Sequence, residues 1–90
     1  MDHPDFITEN PDGTATIALT RPHQLGGATT DKVTMREPTV GDQLAASKGT
    51  PAQNEVALFA NLCEVAPDEI KALPLRDYRR LQDAYMLFTI

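Results

Sequence analysis

The chain has one cysteine, two histidines and one serine among its 90 residues, and these shortages set the first limits on its chemistry. Cys63 stands alone, so neither an internal disulfide nor a CxxC metal knuckle can form. It falls on an apolar helical face, where an inert buried thiol is expected, because a reactive one would want a nearby base. His3 and His23 lie at no metal-ligand spacing from each other or from Cys63, and zinc normally takes three or four protein ligands. No metal and no cofactor are expected. Ser47 has no histidine in a fitting sequence context, and the carboxylates are scattered over faces expected to be exposed. No pair of them is marked by opposed environments of the kind acid–base chemistry uses. An enzyme is not expected.

Long apolar runs are missing too. None approaches the ~20 residues that span a bilayer. The first thirteen residues, MDHPDFITENPDG, carry acids where a secretion signal would carry bases. A cytosolic protein with no membrane partner is the expectation. Bases are scarce in the first half: residues 1–45 hold three (Arg21, Lys32, Arg36) against seven acids, within a net charge of −5. That balance argues against nonspecific nucleic-acid binding, which rests on neutralising phosphates. A basic knot follows later, with Lys71, Arg76, Arg79 and Arg80 around Asp77. It reads either as a solvated helix face or as a docking surface for an acidic partner.

What is present is a sheet signal followed by helix signals. Met1–Gly13 is polar and expected to be flexible. In Thr14–Thr20, Ala15, Ile17 and Leu19 share one face, the period of a half-buried strand. Arg21–Asp31, with Gly26–Gly27, is expected as a hairpin loop too long for a two-residue turn. No phosphate-loop spacing surrounds that glycine pair. Lys32–Glu37 is expected as the second strand, with Val33 and Met35 inward. Two strands alone are marginal in water, so the ribbon must lie on helices or pair with a second chain.

Helix signals start at Pro38. Thr39 and Asp42 form the T-x-x-D version of a capping box, and Thr50 with Gln53 forms another, with Pro51 at the first helical position. Leu44, supported by Val40 and Ala45, is expected to be the core residue of the first helix. The second helix carries Ala52, Val56, Phe59, Ala60 and Cys63 beside Leu58, Leu62 and Val65. A short helix opens at Pro67. The last presents Leu75, Tyr78, Leu81, Tyr85 and Phe88 on one face. The expected fold is α+β, a two-stranded β-hairpin (14–37) followed by a small bundle of three to four α-helices at about 40–48, 51–65, 67–73 and 74–88. Residues 14–90 then form a single domain, of a size that buries roughly 60–65% of its unfolded surface.

The string TMREPTVGD (Thr34–Asp42), the small-residue helix after it, and Pro67-Asp68-Glu69 leading to Leu73-Pro74-Leu75-Arg76-Asp77-Tyr78 and Leu81 are similar to one protein family. Together with the strand ending at Arg21-Pro22, this order and spacing resembles the small tail assembly chaperones of Mu-like and P2-like long-tailed bacteriophages. The similarity runs from about Thr16 to Tyr85. It implies a non-enzymatic protein of the host bacterial cytoplasm that binds the helical, aggregation-prone tape measure protein and keeps it soluble during tail tube assembly. For such a partner, Phe59, Leu62, Tyr78, Tyr85 and Phe88 are expected to contribute a groove, with Arg79 and Arg80 at its rim. Self-association through the hairpin is a further expectation. The rival readings are a minor structural tail component (a completion or terminator protein) and a small regulatory or antitoxin-like factor.

Overall fold

The computed structural model describes residues 4–90. The flexibility expected of Met1–Gly13 therefore falls partly outside the described residues, as does His3. The fold is α+β, with a three-stranded antiparallel sheet in the order β1-β2-β3 and four helices. The strands are β1 (Ile7–Glu9), β2 (Ala15–Leu25) and β3 (Ala28–Met35). The helices are α1 (Val40–Ala45), α2 (Pro51–Cys63), α3 (Pro67–Lys71) and α4 (Leu75–Thr89).

The expected two-stranded hairpin is corrected on two points. A third strand is added by Ile7–Glu9, which pairs with Ile17, Thr16 and Ala15 of β2. Ile7 is buried, and Asn10 secures the connection by donating from Nδ2 to the hydroxyls of Thr14 and Thr16 at 2.9 and 3.0 Å. The hairpin is also longer than expected and closes through a two-residue turn at Gly26–Gly27. Both glycines have positive φ, +63° and +85°, as a primed hairpin turn demands. The supposed loop is strand because an irregularity absorbs its proline. Ala18 pairs with Lys32 and His23 with Thr30, so Leu19–Pro22 oppose Asp31 alone. Pro22 cannot donate to a ladder, and the bulge removes it from one.

Here α4 supplies partners to the backbone of β2. Asp77 is fully buried. Its carboxylate accepts from the Thr20 amide at 2.7 Å, the Thr20 hydroxyl at 3.0 Å and His23 Nε2 at 2.6 Å. Because an ionised carboxylate only accepts, His23 carries its proton on Nε2. One turn further, Arg80 Nη1 donates to the Ala18 carbonyl at 2.8 Å, with its guanidinium 4.4 Å from the centre of the Phe6 ring. Burial pushes the Asp77 carboxyl up, but the Thr20 amide, His23 and the Thr20 hydroxyl together outweigh it and hold it below the usual carboxylate range.

One face of the sheet packs on α2 and α4. Ile17 and Met35 meet Phe59, Leu62, Leu81 and Ala84 in the core, all at most 1% exposed. The inward residues read from the strand period (Ala15, Ile17, Leu19, Val33, Met35) are all buried. Both capping boxes form, at Thr39–Asp42 and at Thr50–Gln53. α1 departs from its reading. It ends at Ala45 and buries no residue: Val40 is 76% and Leu44 69% exposed. Leu75 is likewise exposed, at the mouth of α4 rather than on its packed face.

Asp77→Ala should lower stability by about 3 kcal/mol at pH 7, since it leaves a buried amide and an imidazole without their acceptor. The sign with pH follows from a folded-state carboxyl held below its unfolded value of about 3.9. The stabilisation is complete above that value and lost as pH falls through the folded one. Urea unfolding at pH 7 and pH 3 checks this: the gap between wild type and Asp77→Ala should shrink at the lower pH.

Candidate functional site

The region around α1 is held by one carboxylate. Asp42 receives both guanidinium nitrogens of Arg36, at 2.7 and 2.8 Å, in a bidentate fork. It also accepts from the Thr39 amide at 2.9 Å and from Asn61 Nδ2 at 3.3 Å. Arg36 in turn donates its own amide to the Leu62 carbonyl at 3.1 Å. The end of β3, the start of α1 and the last turn of α2 thus meet at one group. Arg36 and the Thr39 amide hold the Asp42 carboxyl far below the usual range. Ser47 closes α1 by donating to the Leu44 carbonyl at 2.7 Å.

Between the end of α1, the first turns of α2 and the side of α4 lies an open groove of about 300 Å³. Gln43, Ala46 and Ser47 form one wall, Pro51, Asn54, Glu55 and Leu58 the floor, and Tyr85 the far wall. Tyr85 and Tyr78 both pack their rings on Phe59, with centroids 5.5 Å apart. Glu55 Oε1 accepts from the Tyr78 hydroxyl at 2.5 Å and from Gln82 Nε2 at 2.8 Å, tying α2 to α4 beneath the groove. Burial and the neighbouring Glu55 raise the Tyr78 phenol above its ordinary value, so it stays a protonated donor. Leu44, on the same helix as Gln43, is exposed.

A family model described as "Phage tail assembly chaperone proteins, E, or 41 or 14" matches residues 16–90. The chain belongs to the phage tail assembly chaperone family. Comparison with curated proteins and with solved structures gave no match. The family span takes in β2, β3 and all four helices, and therefore both the bulge that Asp77 secures and the Arg36–Asp42 fork.

Against this geometry, the seven residues expected to meet a partner scatter. Phe59 and Leu62 are inside the core, 0% and 1% exposed. Tyr78 and Tyr85 are half-buried, and of the two only Tyr85 lines the α1–α4 groove. Phe88 lines a separate hollow of about 270 Å³ with Leu87, Asn10, Thr14 and Glu37. Arg80 is engaged with Ala18 and Phe6, while Arg79 is exposed on the outer side of α4. Groove residues that periodicity missed include Leu58 and Gln43, because a floor and a wall from different elements share no sequence period. Cys63 is buried, and desolvation pushes its thiol up to about 12, as suits an inert side chain. Among the described residues no acidic, histidine or cysteine cluster could hold a metal ion, and no helix is long and apolar enough to cross a membrane.

Two substitutions separate core from surface here. Phe59→Ala should cost about 3–5 kcal/mol by thermal or urea unfolding, a large share of the ~5–15 kcal/mol that stabilises a domain. Asp42→Ala should instead loosen α1 locally. Hydrogen exchange at the amides of residues 43–46 should accelerate, while the protection of α2 and the sheet is retained.

Proposed function

We propose that this family member binds the tape measure protein and keeps it soluble while the tail tube assembles, without catalysing a reaction. The observation that carries the reading is α1. It is a well-capped helix with no buried residue, and its two large apolar side chains, Val40 and Leu44, face solvent. A helix that adds nothing to its own core, yet is anchored by Asp42 and two capping bonds, is arranged to hold apolar groups outward. Beside it the groove offers Ala46, Pro51, Leu58 and Tyr85 among the polar Gln43, Ser47, Asn54 and Glu55, a form suited to the apolar face of an amphipathic helix. The partner is a protein helix in this reading, with no nucleic acid or membrane involved, and the setting is the host bacterial cytoplasm.

Of the residues first expected to meet the partner, Tyr85 retains a direct role in this reading, with Leu44 and Leu58 joining it. Phe59, Leu62 and Tyr78 shape the groove from behind. The test is co-expression with the tape measure protein of the same phage, scored as its soluble fraction. Wild type should raise that fraction severalfold. Leu44→Asp should abolish the gain while changing unfolding stability by less than about 0.5 kcal/mol, since the side chain is already in water. A tape measure protein equally soluble with and without the chain removes the reading.

A further inference from the structure

The outer face of α4 takes no part in the groove or the core, yet it is not an ordinary polar face. Leu75, Met86 and Ile90 are 72%, 60% and 83% exposed, and Arg79 and Asp83 are exposed between them. At about 100° per residue these five fall within an arc of about 80°. They form a stripe of apolar ends around a charged middle. Among the described residues neither Arg79 nor Asp83 belongs to an ion pair; the pairs there are His23–Asp77, Arg36–Asp42 and Lys71–Asp68.

The order along this stripe is self-complementary under a two-fold axis. When two copies of α4 lie antiparallel and cross near Leu81, Arg79 of each faces Asp83 of the other. In the same register Leu75 of each comes within one residue, about 1.5 Å along the axis, of the level of Met86 of the other. Both charges on the stripe meet their opposites and Leu75 meets Met86, while Ile90 extends past the start of the partner's α4. An isologous interface has to have this property, because one surface must match itself. We propose that the occupant of this face is a second copy of the chain, forming an antiparallel α4–α4 dimer. The interface differs from the hairpin route expected from the two strands, and it leaves the α1–α4 groove open on each copy.

One 15-residue helix per copy, about 22 Å long, makes a small contact surface. It belongs to the weak class below about 1,200 Å², so the dimer dissociates in the roughly micromolar range and is sensitive to salt.

Sedimentation equilibrium over a concentration series tests the proposal. Wild type should pass from monomer to dimer. Arg79→Asp and Asp83→Arg should each weaken dimerisation by roughly tenfold or more, because each sets like charges opposite one another twice. The double swap, Arg79→Asp with Asp83→Arg, restores every pair in the antiparallel register and should bring the dimer back. Both substituted positions, Arg79 and Asp83, are exposed, so circular dichroism should show the same helix content throughout. A monomer at every concentration overturns the proposal. So does a dimer indifferent to both single changes, which would move the contact to the hairpin, and so does a double swap that stays monomeric. The proposal does not rest on tape measure binding, and the soluble-fraction assay with Leu44→Asp is read separately from it.

Discussion

The contact between Asp77 and the bulge in β2 governs how the two halves of this fold sit together. Where β2 is irregular and runs on past the short β1, the Thr20 amide and the Ala18 carbonyl take their partners from α4 rather than from a strand. Neither can be buried unsatisfied without a cost of about 1–3 kcal/mol. α4 answers both, with an acceptor at Asp77 and a donor at Arg80 one turn later. That pairing fixes the rotation of the helix. Once Asp77 points at the bulge, Leu81 and Ala84 must point at the core, and Leu75, Met86 and Ile90 must point away from it. The composition of the outer face thus follows from a polar contact on the inner one.

Two other carboxylates repeat the device at different places. Asp42 joins the end of β3 to α1 and α2. Glu69 accepts from the Ala66 amide at 2.9 Å at the start of α3 and from the Gly26 amide at 3.1 Å at the hairpin tip. Each caps its own helix or neighbouring backbone while reaching across to the sheet. The apolar core of a 90-residue chain is small, and nonpolar contacts alone define orientation loosely. Directional acceptors at three separated points set the register of helices on sheet. The surface pair at Asp42 is exposed to screening and acts mainly as a positioning element, whereas Asp77 is buried and carries a larger energetic role.

The same economy explains α1. It is held at both ends by hydrogen bonds and at its side by the Arg36 fork, with no buried residue of its own and only the half-buried Ala46 at its C-cap packed on the core. A helix stabilised this way is free to turn its apolar residues outward. In a family named for chaperoning tail assembly, that arrangement places unsatisfied apolar surface beside a groove rather than inside a core.

Local chemistry alone determined a good deal of this protein. The alternation in β2 and β3, the threonine capping boxes and the proline starts of α2 and α3 are legible because each depends on neighbours within four residues. The family was legible for a related reason: its signature is an ordered series of such local signals. Other features were decided only by tertiary structure. Pro22 reads as a strand-breaker until a bulge isolates it, and Asp77 reads as one charge in a basic knot until β2 arrives 57 residues away in sequence to bury it. Leu44 and Leu75 have the right spacing for a core, but spacing reports only that apolar residues share a face. Which face turns inward was set by polar contacts at Asp42 and Asp77, between groups that no sequence period connects.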